Sequence, residues 1–344
     1  MGTDVLRLLK RWEGLLLLCL IAVLAYNISE VSNFLTVRNQ VNVFQLGIEK
    51  AIVVLIMTFV IISGEIDLSV ASMMGLSATV VANLHERDVA FPLALLVALA
   101  VGLGFGLLNG YLVAVVGLSS LAVTLAGFIG FRGLARMLVE DRSVGDFPSW
   151  FTDLGQKGLI GSVTFAIVLF FVLALIAAVV LHFSALGRLT YVIGSSTPVA
   201  RFSGVPVART KMIIFATSGL ISALAGILFT ARLGAVRAST AEGFELDIIT
   251  VTLLGGVSIF GGVGTMVGVL LSIYLVLNLR NGLTIAGVTG NTQTGIIGLL
   301  LILSVLLPTL GGRVRDYLRR QTDPGVADPP SDMAEAAPSR SAPG

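Results

Sequence analysis

The stretch from Ser184 to Lys211, SALGRLTYVIGSSTPVARFSGVPVARTK, separates two long apolar runs and decides how the chain is arranged. Thr197 is suited to cap a short helix, Pro198 to occupy its first position, and Gly204 to end it. A helix this short is marginal in water and cannot cross a bilayer. The stretch is basic, with no acidic residue: its charges are Arg188, Arg201, Arg209 and Lys211. It therefore predicts a small surface helix between membrane-buried segments.

The predicted short helix carries an apolar pair beside a positive charge. Val199 and Phe202 lie three residues apart, so they share one helix face, and Arg201 is adjacent to them. We interpret the segment 184–211 as a surface handle that another protein grips. An ordinary basic cytoplasmic loop is the alternative, and the spacing alone does not separate the two interpretations.

Composition places the chain in a bilayer. Of its 344 residues, 56% are hydrophobic and 12% are charged, whereas soluble domains carry roughly 25% charge. Uncharged runs of bilayer length recur along the sequence, which predicts an all-α polytopic membrane protein with about ten spans in 14–310. Residues 1–13 are predicted to be a cytoplasmic N-terminus, and 311–344 a basic and then disordered cytoplasmic tail.

The predicted spans are set by the apolar runs and by the polar breaks between them. They cover about 14–34, 43–63, 68–84, 89–116, 119–138, 159–183, 212–231, two spans within 248–279, and 295–310. If Gly64 to Ser69 is a break inside one span and not a loop, the count becomes nine. Gly102, Gly106 and Gly110 recur at four-residue spacing, which predicts a face for close helix packing.

The positive charges predict the orientation of the chain. Basic residues precede the first span, fill the handle and follow the last span, so both termini are predicted to lie in the cytoplasm. Outside the handle these residues are Arg7, Lys10, Arg11, Arg313, Arg315, Arg319 and Arg320.

Two acidic motifs echo each other along the chain. Glu65-Ile66-Asp67-Leu68 and Glu245-Leu246-Asp247-Ile248 share one pattern and are both expected to open apolar helices. Asn-Gly pairs at Asn109 and Asn281 follow in the same order. An inverted repeat would produce this arrangement, although short echoes also arise by chance.

Polar residues near or within the spans are candidates for a solute path. Acidic groups in a membrane are functional candidates by default, which singles out Glu65 and Asp67; the alternative is that they cap a helix and pair with an arginine. The other candidates share a neutral polar side chain, and for each of them an interhelical hydrogen bond is the alternative role. They are Asn109, Thr124, Asn278, Asn281, Asn291, Thr292 and Gln293.

Missing motifs exclude several functions. No Gly-Lys dipeptide occurs, so the chain has no Walker A loop and is not expected to bind ATP in that way. Cys19, His85 and His182 do not form a set with metal-ligand spacing. No nucleophile with its base is visible, and the net charge of +2 gives no sign of nucleic-acid binding. We expect a protein that is not an enzyme and that binds no cofactor or metal.

Four stretches together carry a resemblance to a known family. They are ISGEIDLSVASMMG (Ile62 to Gly75), SSLAVTLAGFIGFRGLARML (Ser119 to Leu138), GRLTYVIGSSTPVARFSGVPVARTKM (Gly187 to Met212) and GFELDIITVTLLGGVSIFGGVGTMVG (Gly243 to Gly268). In this order the chain resembles the permease subunits of bacterial ATP-binding-cassette sugar importers, the ribose, rhamnose and autoinducer-2 group, over most of 41–310.

The resemblance implies an inner-membrane permease that works by alternating access. It implies a cytoplasmic ATPase dimer, a second permease of the same or a paralogous chain, a periplasmic sugar-binding protein, a sugar substrate and surrounding lipid, with ATP bound only by the ATPase. The handle would be the coupling helix that enters the ATPase. Many relatives have Gly at the position of Glu65, and the GEIDLS form favours the rhamnose-like branch.

Two other classes stay open at this stage. An ion-coupled secondary transporter would use Glu65, Asp67 or Glu49 as its coupling carboxylate. A membrane scaffold or receptor would move no solute. The sequence does not determine which sugar would be carried.

Overall fold

The computed structural model describes residues 12–30, 34–140, 142–300 and 302, and these are mostly helical. The helices, with one hairpin of two antiparallel strands, are α1 (Trp12–Glu30), α2 (Val37–Gln45), α3 (Ile48–Ile62), α4 (Val70–Glu86), α5 (Phe91–Tyr111), α6 (Ser120–Val139), α7 (Ser149–Gln156), β1 (Gly158–Ile160), β2 (Val163–Thr164), α8 (Phe165–Phe183), α9 (Ala185–Ser195), α10 (Thr197–Phe202), α11 (Val207–Leu233), α12 (Phe244–Leu254) and α13 (Met266–Ile285). A π-helical turn, Leu112–Val116, extends α5, and residues 290–300 are again helical.

The helices include enough long apolar segments for a polytopic membrane protein. In the described part of the chain, six helices are long and apolar enough to cross a membrane: α1, α5 with its π turn, α6, α8, α11 and α13. The bent pair α2 and α3, which meet at 58°, gives a seventh when counted as one span. The polytopic all-α class is confirmed, and the count of about ten stays a prediction.

Three predicted spans differ from the helices observed. The predicted third span is α4, with 17 residues, and the predicted eighth is α12, with 11, so neither reaches the roughly 20 residues of a full span. The predicted second span is broken at Gly47. Much of the predicted tenth, like most of 1–13 and all of the tail 311–344, lies outside the described residues.

The predicted sixth span begins too early. Helix α8 starts at Phe165, six residues after the predicted start at Leu159. Residues 158–164 instead form the β1–β2 hairpin, in which Gly161 takes a φ of 60° at the turn. Apolar composition alone does not show this turn, because both strands are themselves apolar.

Helix α3 is at the centre of the packing. Every residue of α3 except Lys50 is buried, as expected for a helix that is apolar on all sides and surrounded by other helices. The long helix α11 packs beside it and against α5. A Cβ at Gly102 would lie 2.7 Å from the carbonyl oxygen of Gly219, and one at Gly106 would lie 2.6 Å from that of Phe215. Gly110 similarly faces α11, so these glycines let the two backbones approach closely.

Candidate functional site

The short helix α10 has the predicted ends, with one correction at its cap. Ser196, not Thr197, is the cap residue: its Oγ accepts a hydrogen bond from the Val199 backbone N–H at 3.4 Å. Ser196 has the extended backbone that a cap requires, with φ −165° and ψ 101°. Thr197 is already helical and donates its hydroxyl to the Ile193 carbonyl at 3.0 Å. Pro198 lies in the first turn, and Gly204, with φ 76°, follows the helix end.

Helix α10 is anchored by one face and exposes the other. Ala200 is fully buried against Ile193 of α9 and Val207 of α11. On the opposite face Phe202 is 94% exposed and Val199 is 61% exposed, with Arg201 also exposed between them. A nearly bare phenylalanine on a fixed helix presents a large apolar contact to a partner.

The handle is attached directly to the end of α3. Gly194 of α9 lies so close to the Ile62 carbonyl that a Cβ there would be 1.7 Å from that oxygen. The same carbonyl accepts a hydrogen bond from the Gly262 N–H at 2.8 Å, within the glycine-rich connection 255–265. The Tyr191 hydroxyl donates to the Gly264 carbonyl at 2.7 Å, and burial raises the pKa of the Tyr191 phenol, so it stays a donor. Backbone contacts therefore join α9, α3 and this connection.

Residues 63–69 form a break between α3 and α4 that is buried or half-buried at every residue except Gly64. Ser63, Asp67 and Ser69 are each at most 3% exposed. Ser69 donates to Asp67 Oδ1 from its backbone N–H at 3.0 Å and its hydroxyl at 2.6 Å. Ser218 of α11 donates to Asp67 Oδ2 at 2.8 Å, and Asn109 of α5 donates to Ser69 Oγ at 3.1 Å. The break thus gathers polar groups from two helices, α5 and α11, around Asp67 and Ser69.

Glu65 completes this cluster through an ion pair. Its carboxylate binds the Nζ of Lys211, near the start of α11, and the two side chains are only 12% and 9% exposed. Thr124 of α6 donates to the Ile66 carbonyl at 3.2 Å and to the Ser120 carbonyl at 2.8 Å. The arginine expected as the partner of the acidic pair is therefore a lysine. Four of the predicted path residues come together at the break: Glu65, Asp67, Asn109 and Thr124.

The remaining predicted path residues lie in a separate group. Asn278 accepts at its backbone carbonyl from the side chain of Asn27 at 3.0 Å, and Asn281 pairs with Asn39 at 3.3 Å. Gln293 donates to Thr284 Oγ1 and to the Val288 carbonyl. Asn291 and Thr292 are exposed. Among the described residues, the hydrogen bonds of this group do not reach the break, so the candidates do not form one continuous cluster.

The two acidic motifs occupy different local structures. Glu65 and Asp67 precede α4 in the break, so the expectation that they open a helix is wrong, whereas Glu245 and Asp247 lie in the first turn of α12. Asp247 accepts from Lys50 at 2.8 Å and from Arg280 at 2.9 and 2.8 Å. The echo between the motifs is therefore one of sequence and not of conformation.

Glu49 and Lys50, adjacent in the sequence, are each paired with a different helix. Glu49 binds Arg232 of α11 in a bidentate pair of 2.6 and 3.1 Å, while Lys50 binds Asp247 of α12. Among the described residues, no three side chains of His, Cys, Asp or Glu are grouped as a metal ion would require.

Comparisons with known proteins agree with this architecture. The family profile described as "Branched-chain amino acid transport system / permease component" matches residues 39–305. The protein named "Autoinducer 2 import system permease protein LsrD" from Photorhabdus laumondii is 32% identical over 278 residues, covering 78% of this chain and 83% of its own. The protein of the same name from Yersinia enterocolitica is 34% identical over 261 residues, which cover 74% of this chain and 78% of the relative. The one from Escherichia coli K12 is 33% identical over 281 residues, which cover 79% of this chain and 85% of the relative. No solved structure matches the chain.

Proposed function

The chain belongs to the family of transport-system permease components, and from this premise we propose that it is the membrane path of an ATP-binding-cassette importer for a sugar-like solute of the autoinducer-2 type. The relatives' names favour autoinducer 2 over rhamnose or ribose. The proposed partners are a cytoplasmic ATPase dimer, a second permease and a periplasmic binding protein. In this proposal the chain spans the inner membrane with both termini and α10 in the cytoplasm.

The observation that carries the proposal is the direct connection between an exposed helix and a buried polar break. Phe202 is available to a partner, and three residues before α10 Gly194 contacts the carbonyl of Ile62. On the other side of α10, the first half of α11 carries both Lys211, which binds Glu65, and Ser218, which binds Asp67. A displacement of α10 would therefore act on the break from both of its flanks.

Unpartnered polar atoms support a path along α4 and α11. Buried side-chain polar atoms without a hydrogen-bond partner are uncommon, because each loses its hydration. In the described part of the chain they belong to Ser77 (Oγ), Arg132 (Nη2), Ser222 (Oγ), Glu245 (Oε2) and Asn278 (Oδ1). The first four lie on α4, α6, α11 and α12. The unpartnered hydroxyls of Ser77 on α4 and Ser222 on α11 are groups to which a hydroxylated solute can form hydrogen bonds.

The proposed cycle follows from these contacts. ATP binding closes the partner ATPase, the closed ATPase moves α10, and α9 and α11 carry that movement to the break at 63–69. The two helical halves then open the path to one side of the membrane and afterwards to the other. The chain contributes the solute path and the helices α9, α10 and α11 that move it, and the ATPase supplies the energy.

Uptake by the reconstituted complex tests the proposal. The chain is placed in proteoliposomes with its ATPase, second permease and binding protein, and accumulation of autoinducer 2 is measured with ATP on the ATPase side. We expect uptake that requires ATP hydrolysis and persists when the proton gradient is collapsed. A hydrolysis-deficient ATPase serves as the control. Uptake that proceeds without ATP and stops with the gradient would identify an ion-coupled transporter instead.

A further inference from the structure

We propose that Arg132 of α6 and Glu245 of α12 form a binding site for the hydroxyl groups of the transported solute, beneath the connection 234–243 between α11 and α12. This inference rests on the proposed function, because it names the residues that the solute would meet. Neither residue belongs to the cluster at the break.

Arg132 is buried with part of its hydrogen-bonding capacity unused. Its side chain is at the protein interior, 7% exposed, and Nη1 donates to the carbonyls of Ala238 at 2.9 Å and Thr240 at 2.7 Å. Nη2 is buried and has no partner. Gly75 of α4 makes room for the guanidinium, since a Cβ there would lie 2.7 Å from Nη1. Arg132 therefore binds the connection 234–243 through Nη1, while its Nη2 is left to donate a hydrogen bond to another group.

Glu245 is the complementary group. It is 8% exposed, five residues after Thr240, and its Oε2 is buried without a partner. In the described part of the chain no cation forms an ion pair with Glu245, whereas Lys50 and Arg280 bind Asp247, and Arg232 binds Glu49. The first turn of α12 favours a negative charge, but it does not supply a donor to this oxygen.

The two groups are linked by the end of the connection and do not pair with each other. Arg132 binds the Thr240 carbonyl at 2.7 Å, and Glu245 follows Thr240 by five residues. In the described part of the chain the two side chains form no ion pair. An atom of a charged group that is buried without a hydrogen-bond partner is unfavourable, and Arg132 Nη2 and Glu245 Oε2 are two such atoms. A molecule that donates a hydrogen bond to Glu245 Oε2 and accepts one from Arg132 Nη2 would give both atoms a partner.

The opposite charges of Arg132 and Glu245 select the chemistry of the ligand. An anion would be repelled by Glu245 and a cation by Arg132, whereas a neutral polyol both donates and accepts through its hydroxyl groups. A cavity of about 470 Å³ is lined by the same connection, including Arg237, Ser239 and Glu242. Apolar side chains, among them Phe229 and Phe244, line the rest of this cavity, and neither Arg132 nor Glu245 is among its lining residues. In this proposal a hydroxylated solute arrives here before it reaches the buried pair.

Protection of a thiol tests the site directly. In a Cys19→Ser background the chain has no other cysteine, so Glu245→Cys introduces a single thiol. The reconstituted complex is treated with a small methanethiosulfonate reagent with and without autoinducer 2. We expect the solute to slow modification about tenfold at a concentration roughly ten times its Kd, by mass action. Glu86→Cys, at the exposed outer end of α4, is the matched control and should be modified at an unchanged rate.

Uptake rates provide the second measurement, on variants that co-purify normally with the ATPase. Glu245→Ala should lower the maximal uptake rate by about tenfold or more, the effect of losing a hydrogen bond to a charged group. Glu245→Gln keeps an acceptor and should lose less, and Glu86→Gln should match the parent. Full uptake in Glu245→Ala together with no thiol protection would overturn the site. If the parent complex shows no ATP-dependent uptake, the proposed function fails instead, so the two failures are distinguishable.

Discussion

Burial makes Glu65 and Lys211 dependent on each other. Two charges taken out of water are tolerated because they are paired. Replacing both by apolar groups often leaves the free energy of unfolding unchanged. Removal of one partner leaves an uncompensated buried charge. The pair joins the break at 63–69 to the N-terminal part of α11. Its strength therefore contributes to how tightly a movement of α11 is coupled to the break.

Lys211→Met should therefore destabilise the protein by about 3–5 kcal/mol, and Glu65→Gln combined with Lys211→Met should recover most of that loss. The measurement is the free energy of unfolding in detergent, followed with denaturant. Lys157→Met is the control, because the pair of Lys157 with Asp153 is exposed and such pairs contribute about 0.3–0.5 kcal/mol. A double variant as unstable as Lys211→Met would contradict the proposed dependence.

The sequence predicts which residues are polar and buried, but not which of them meet. Glu65 and Asp67 stand out because acids are rare beside apolar helices. Their partners lie 146 and 151 positions away, and no local spacing specifies which helices pack together. Arg132 and Glu245 were missed as a site for the same reason, since the unpaired atoms appear only when neighbouring helices are in place. The signal available in the sequence is that Arg132 lies within an apolar span.

Among the elements, α10 is one whose position and ends were predicted from local sequence signals. Pro198 and Gly204 mark its ends because each acts through its own backbone geometry. The error at the cap arose because Ser196 and Thr197 are adjacent and both have suitable hydroxyls. The exposed positions of Val199 and Phe202 follow from the same three-residue spacing.

Phe202→Ala should weaken ATPase binding, since central aromatic anchors contribute about 2 kcal/mol or more, equivalent to roughly 30-fold in Kd. Arg201→Glu should weaken it as well, while insertion into the membrane is unchanged. Binding of purified ATPase to the permease in nanodiscs gives the Kd directly. Phe183→Ala removes an equally large and exposed phenylalanine, 78% exposed at the end of α8, and should leave the Kd unaltered. Equal Kd values for Phe202→Ala and the parent would exclude α10 as the coupling element.

The interruptions of the helices were harder to predict than the helices themselves. Hydropathy reports how apolar a segment is and not where its backbone hydrogen bonds stop, so 43–63 was predicted as one span although α2 and α3 meet at 58°. Only Gly47 marks this bend locally. For Gly64 to Ser69 the sequence leaves two alternatives, a loop or a break inside one span. The structure buries Asp67 and Ser69 there, and a single span through α3 and α4 stays a prediction.

Across the whole molecule, composition determines the class because no soluble core could bury so much apolar surface. The polytopic all-α class follows from this without knowledge of any contact. The arrangement of spans does not, since α4 and α12 are short and owe their positions to packing against α11 and α3. The sequence echo between the two acidic motifs gives no matching local structure, so an inverted repeat stays a prediction.

The orientation of the molecule is the last prediction, and single thiols test it. Helix α8 has 19 residues, about 29 Å at 1.5 Å per residue, so it is long enough to place α7 and α10 on opposite sides of the bilayer. The acid-free basic stretch around α10 is predicted to lie in the cytoplasm. In the Cys19→Ser background, Phe202→Cys should react with an impermeant thiol reagent only in inside-out vesicles. Trp150→Cys, on α7, should react only in right-side-out vesicles, since Trp150 is 47% exposed. Reaction of both on one side would contradict α8 as a span, and the reversed pattern would put α10 out of reach of a cytoplasmic ATPase.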